Sequence, residues 1–262
     1  MKIILNNVSY IRNKEIILEN INLVLEENFY TLIGPNGSGK TTLLSIITGL
    51  EWPTVGSSKI EFENSSFLTA HKKQFFGNFF PKIVNWFETY HSEISILETI
   101  CTGFYDQIGY YTEATKEQKE IARSLLKQYI PSVSEKYYNK KFIYLSTGEK
   151  YRTLLLRSII KKPKILILDE PFDGLDIKGR IEFEKFISEI SKQISFIIIV
   201  LHRIEEIPSF VKKAILLKEG KVFYFDDIDK ALTSLNFSKL YDMDLIIKKI
   251  NNRFYAIINE FS

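Results

Sequence analysis

The chain has 262 residues, 45% of them hydrophobic, enough for one large or two small domains with a sizeable core. Its 35 basic and 32 acidic residues leave a net charge of +3, so charge alone gives no case for a polyanionic partner, and no nucleic acid is expected. One cysteine, Cys101, excludes a disulfide within the chain and suits a reducing cytosol.

The opening MKIILNNVSY is interrupted by asparagines too early for a signal peptide, and NVSYIRNKEIILENINLVL reads as a β-hairpin region. FYTLI, Phe29 to Ile33, is β-branched and aromatic and reads as a buried strand. Between it and the helical pattern TTLLSIITGL lies Gly34-Pro35-Asn36-Gly37-Ser38-Gly39-Lys40-Thr41, with Thr42 next. This matches G-x-x-x-x-G-K-[ST] in the strand-to-helix setting that the pattern requires. The glycines permit positive φ and clear side chains from the loop lining. Backbone N–H groups can then face phosphate oxygens beside the positive end of a helix. Lys40 is expected to reach the β- and γ-phosphates of a nucleoside triphosphate, and the Thr41 hydroxyl to bind Mg²⁺.

FFGNFFPKIVNWFETY, Phe75 to Tyr90, has two readings: core packing, or an exposed docking patch. From about Trp86 to Lys141 the pattern is helical. TEATKEQKEIARSLLKQYI sets Ile121, Leu125 and Leu126 at helical spacing, with Thr112 or Thr115 as the cap. Leu145-Ser146-Thr147-Gly148-Glu149 opens a further, basic helix. KILILDEP, Lys164 to Pro171, is continuously apolar, as suits a parallel strand buried on both faces. It ends in Asp169, placed for Mg²⁺, and Glu170, which the following turn can bring to the γ-phosphate to polarise water. SFIIIVLH ends in His202. A strand's carboxyl end is the phosphate edge, which favours a γ-phosphate contact over a core role. The apolar run FIIIVL is far short of the ~20 residues that span a bilayer, so a soluble chain is expected. A short helix and a hairpin turning at Asn251-Asn252 close the sequence. The expected organisation is a nucleotide-binding domain over 1–230, with a helical subdomain at about 86–160, and an extension over 231–262.

The order of phosphate loop, LSTGE, acidic strand, PFDGLD ending in Asp176, and strand-end histidine resembles the ATP-binding-cassette (ABC) ATPases from about Met1 to Lys230. The resemblance implies an α/β fold: a P-loop NTPase core with an antiparallel β subdomain and a helical insert. It implies head-to-tail pairing, as a homodimer or heterodimer, in which Ser146 and Gly148 of one cassette bind ATP held by the other. Asp176 would lie at the dimer seam and His202 on the γ-phosphate. The implied activity is ATP hydrolysis that powers separate integral membrane subunits from the cytoplasmic face of the cell membrane. A soluble, non-transport ABC ATPase acting as a conformational switch is the alternative. TGFYDQIGYYTEATKEQ is similar to the insert of stand-alone cassettes of the molybdate and metal-complex importer group, without naming a substrate.

The sequence departs from the family pattern at three places. The signature, normally close to LSGGQ, reads LSTGE. The aromatic that stacks on adenine falls on Arg12, with Tyr10 two residues earlier; either can stack on a base, and a regular strand would put both on one face. No glutamine lies between Phe75 and Asp106, and Gln74 sits among lysines. Val84 or Asn85 holds the aligned place of the family's Q-loop glutamine. Asn85 would keep an amide with shorter reach; otherwise that contact is lost, which bears on coupling to a transporter.

Overall fold

The computed structural model describes residues 1–63, 65–68, 72–91, 93–105, 113–131 and 134–259. The chain divides into two compact units, residues 1–76 with 195–262, and residues 77–194.

The first unit opens with β1 (Lys2–Arg12) and β2 (Glu15–Glu26), joined by Asn13 and Lys14 at φ 51° and 69°. Two successive positive φ angles give the turn whose twist matches paired antiparallel strands. β3 (Phe29–Ile33) leads through the glycine loop into α1 (Lys40–Thr48), followed by β4 (Val55–Phe62) and β5 (Ser65–Leu68). An antiparallel sheet forms in the order β2-β1-β4-β5. Ile3, Leu5 and Val8 of β1 and Leu18, Ile21, Leu23 and Leu25 of β2 are buried, so this sheet has one core face.

α1 is fixed to β4 by an unusual group. Lys72 is fully buried, and its Nζ donates to the Ile46 carbonyl at 2.9 Å and to Ser58 Oγ at 2.7 Å. The Ile46 carbonyl lies in the last turn of α1, where the helix dipole favours a cation. Burial nevertheless pushes the Lys72 ammonium down to about 8.

β6 (Phe76–Phe79) leads into the second unit, which holds α2 (Ile83–Tyr90), α3 (Ile96–Cys101), α4 (Lys116–Tyr129), α5 (Glu135–Tyr138), α6 (Thr147–Ile159), β7 (Ile165–Asp169) and α7 (Ile177–Ser191). β6 lies beside β7. Thr115 caps α4 in a reciprocal capping box with Gln118. The other candidate cap, Thr112, lies outside the described residues, as do residues 106–112 of the insert. Of the aromatics in the stretch, Phe75, Phe79 and Phe87 are buried in the core. Phe79 stacks against Tyr151 and Phe183, and Phe87 against Phe142. Trp86 is half-buried against His91, and Tyr90 is the one exposed aromatic of the stretch. Helical spacing within α2 sorts the aromatics between faces, which a count of aromatics does not reveal.

The chain then returns to the first unit with β8 (Phe196–Leu201), β9 (Lys213–Lys218) and β10 (Lys221–Asp227). The order is β10-β9-β3-β8, and β3 runs parallel to both β8 and β9. Every residue of β8 is buried, as its unbroken apolarity requires. Two short helices follow, α8 (Ile228–Ala231) and α9 (Ser234–Tyr241), where the sequence suggests one. The β11 (Leu245–Ile250) and β12 (Arg253–Ile258) hairpin turns at Asn251 and Asn252, φ 50° and 60°. Among the described residues no helix is long and apolar enough to cross a membrane.

Lys72 makes stability depend on pH in a defined direction. Its folded value of about 8 lies below the unfolded 10.5, so between them the unfolded chain holds the extra proton and folding gains as pH rises. In Lys72→Met the Ser58 hydroxyl still donates to Ile46 at 3.3 Å. Urea unfolding at pH 7 and pH 9.5 should show wild type gaining on the order of 1–2 kcal/mol over Lys72→Met. The same pH profile for both chains would show that Lys72 does not titrate in the folded state.

Candidate functional site

In the first unit the strand register builds one edge. Ile33 pairs with Leu201 of β8 and with Leu216 of β9, both parallel. The residues that follow, Gly34, His202 and Leu217, therefore leave the sheet side by side. His202 is exposed there and is not a core histidine. Gly34 presses against the next turn: a Cβ at this position would lie 2.1 Å from the Leu217 carbonyl oxygen. Ser38 N–H donates to the Pro35 carbonyl at 3.2 Å, and Ser38 in turn accepts from Gly220 N–H at 3.1 Å. Gly39, at φ 99°, is the N-cap of α1 and offers no side chain to it, and the first turn holds no acid. The N–H groups of that turn thus face outward with no capping side chain.

Lys40 is only 6% exposed. Its Nζ donates to the Gly34 carbonyl at 2.7 Å and the Pro35 carbonyl at 2.9 Å, so the ammonium is held inside the loop. Ser38 Oγ is buried and has no hydrogen-bond partner among the described residues. Asn36, Gly37 and Thr41 are exposed, and Pro35 and Thr42 half-buried. Outward N–H groups, a captive ammonium and an orphaned hydroxyl suit a polyphosphate.

Tyr10 and Arg12 do not stand alike. The register slips between Tyr10 and Ile11, where Ile17 of β2 is the extra residue, so β1 itself runs on without an inserted residue from Tyr10 to Arg12. Tyr10 is half-buried, and the Glu51 carboxylate beside it raises its phenol above the ordinary value. Arg12 is exposed at the hairpin end.

In the second unit, β7 is buried up to Leu168, and Asp169 and Glu170 at its end are half-buried. Glu170 takes a left-handed backbone, φ 52°, and its carbonyl accepts from Asp173 N–H at 3.2 Å. The chain therefore turns sharply at Glu170. Asp176 is the N-cap of α7, its Oδ1 accepting from Gly179 N–H at 2.6 Å. The buried Tyr151 of α6 donates its hydroxyl to the Asp173 carbonyl, which ties that turn to the LSTGE helix. Burial raises the Tyr151 phenol to about 12, so it remains a donor.

Ser146 is the exposed N-cap of α6 in a reciprocal box with Glu149. Glu149 Oε2 accepts from Ser146 N–H at 2.8 Å, and Oε1 from the Tyr137 hydroxyl at 2.9 Å. Burial opposes ionisation of Glu149, but these donors outweigh it and hold the carboxyl below its usual value. A Cβ at Gly148 would meet nothing within 4 Å, so packing does not demand glycine there. Val84 is buried and Asn85 exposed, both within α2, whereas β6 already ends at Phe79. Asn85 therefore stands on a helix rather than on the segment leaving the strand.

No group of three or more His, Cys, Asp or Glu among the described residues is set to hold a metal. Mg²⁺ needs only one or two protein oxygens beside phosphate, and the Thr41 hydroxyl and Asp169 carboxylate belong to that donor class. Sequence reasoning missed the Leu217–Gly220 turn behind the loop and the Tyr151 tether. The S-x-x-E spacing of the Ser146 box was readable.

The ABC transporter family matches residues 18–173. An uncharacterised ABC transporter ATP-binding protein of Bacillus subtilis, YlmA, is 34% identical over 91% of this chain and 90% of its own. The zinc import ATP-binding protein ZnuC of Buchnera aphidicola is 33% identical over 81% of this chain and 79% of its own. Among solved structures, the ATP-binding cassette MJ0796, a dimer in a post-hydrolysis state bound to ADP and Pi, covers 86% of this chain and is covered over 98% of its own. It is 26% identical, with a TM-score of 0.66.

The cap geometry separates two effects of the LSTGE glutamate. Glu149→Gln keeps an acceptor for Ser146 N–H and should melt within about 1 °C of wild type. Glu149→Ala loses the reciprocal half of the box and should lose about 1 kcal/mol in thermal unfolding. An equal loss in both would assign the stability to the carboxylate charge instead.

Proposed function

The chain belongs to the ABC transporter family of ATP-binding subunits and is an ATPase, and on that ground we propose how its own residues carry the reaction. The observation that carries the reading is the captive Lys40 ammonium in a glycine loop beside the exposed His202 on the adjoining parallel strand. Gly34 to Thr42 cradle the triphosphate of ATP, with Lys40 countering the charge on the β- and γ-phosphates. The Thr41 hydroxyl and Asp169 carboxylate would hold Mg²⁺, which when bound supplies charge neutralisation at the phosphate oxygens. Glu170 accepts a hydrogen bond from the attacking water and aligns it for in-line displacement. His202 donates to the γ-phosphate oxygen as charge develops there.

The exposed Ser146 hydroxyl and the first-turn N–H groups at Gly148 serve a second copy's nucleotide, so a lone chain holds half of each site. The open space at Gly148 supports that role, because no described residue lies within 4 Å of where its side chain would be. Closing and reopening of the pair drives separate integral membrane subunits, with this chain peripheral on the cytoplasmic face. The names of YlmA and ZnuC favour this transporter reading over a soluble switch. Between Tyr10 and Arg12, Arg12 is the better base platform, because it is exposed at the hairpin end whereas Tyr10 is half-buried.

Lys40→Ala should weaken Mg·ATP binding or turnover by about 100-fold or more, read by titration and phosphate release. Unchanged turnover would refute the loop assignment. Glu170→Gln should still bind Mg·ATP and shift from monomer to dimer in size-exclusion chromatography with light scattering. A monomer at saturating nucleotide would count against the paired mechanism.

A further inference from the structure

The phosphate loop rests on the turn between β9 and β10. Gly34 abuts the Leu217 carbonyl, and Gly220 N–H donates to Ser38 at 3.1 Å. Gly220 also accepts from Glu19 N–H at 2.9 Å, so the turn is held from the β2 side. Between Leu217 and Gly220 sits Lys218, and its side chain runs to the C-terminal extension. Lys218 Nζ donates to the Lys239 carbonyl at 2.6 Å and to both oxygens of Asp242, at 2.7 and 2.8 Å. All three ammonium protons are used. The Lys239 carbonyl lies in the last turn of α9, where a cation suits the helix dipole.

Asp242 is the C-cap of α9 at φ 53°, ψ 42°, and its N–H donates to Ser238. Glycine or asparagine is the usual residue in that left-handed position, and aspartate there is strained. The carboxylate that occupies it is the one bound by Lys218. A cavity of about 240 Å³ is lined by Pro35, Asn36, Gly37 and Ser38 on one side and by Leu240, Tyr241 and Asp242 on the other. The extension thus walls the outer arm of the phosphate loop, and its clamp lies beyond the family match at residues 18–173.

We propose that Lys218 and Asp242 are positioning residues for nucleotide binding: the C-terminal extension, through this pair, holds the β9–β10 turn against Gly34 and Ser38 and so sets the shape of the phosphate loop. The inference rests on the phosphate-loop reading above. The pair touches no nucleotide and acts only through the loop backbone. Surface ion pairs add little to global stability, so its loss should loosen the loop without unfolding the chain.

The test uses the full chain without nucleotide first. In Asp242→Ala and Lys218→Met, amide hydrogen exchange at residues 35–39 should quicken at least fivefold, with the melting temperature nearly unchanged. The Kd for Mg·ATP by calorimetry should rise at least fivefold in both, and Lys218→Arg should return it to within twofold of wild type. Asp242→Asn keeps a residue suited to the left-handed backbone and removes only the charge. It should move both readouts in the same direction, which covers a failure of the alanine variant to fold. Faster exchange confined to residues 234–242, or an unchanged Kd, overturns the proposal. A wild-type chain that binds no Mg·ATP would sink the nucleotide reading itself, whereas the exchange readout needs no nucleotide and still decides this one.

Discussion

The carboxyl edge of the first unit depends on how closely the backbone of Gly34 approaches the Leu217 carbonyl. No Cβ fits there, since it would lie 2.1 Å from that oxygen. Because side chains are excluded on this flank, the loop must present backbone to whatever it holds. The parallel register of β3 with β8 and β9 then brings His202 alongside. Two backbone facts, a close approach and a register, do most of the assembly of this edge. The side chains add charge to a shape that already exists.

Much of this was legible in the sequence because its rules are local. The glycine spacing, the apolar run of β8, the Ser-x-x-Glu box of α6 and the paired asparagines of the last hairpin each state their structure within a few residues. What stayed hidden depends on contacts between distant segments. Nothing near Lys72 in the sequence marks it as a buried cation, because Ile46 and Ser58 come from other elements. The same holds for Lys218 and Asp242, 24 residues apart. The aromatic stretch left two readings open for another reason: composition counts rings, and does not say which of them the fold buries. The slip between Tyr10 and Ile11 came from β2, and no pattern in β1 announces it.

The departures from the family pattern have different physical weight. Glutamate for glutamine in LSTGE preserves the cap, since both side chains accept from the N-cap N–H, and here the carboxylate also takes the Tyr137 hydroxyl. The fold absorbs that change. The missing glutamine is not absorbed in the same way. Asn85 is exposed on α2, and the Thr89 hydroxyl donates to its backbone carbonyl within the same helix. Its side-chain amide is therefore carried by a helix rather than by a loop.

Glu170 carries a conflict between backbone and side chain. Its left-handed conformation, φ 52°, costs about 1–2 kcal/mol for any residue with a β-carbon, and glycine would relieve it. On the proposed role of Glu170 in aligning water, global stability and turnover pull this one position in opposite directions. A search for heat-resistant variants would be drawn to residue 170 early, and under that proposal its best solutions there would be well-folded proteins that bind nucleotide and do nothing with it.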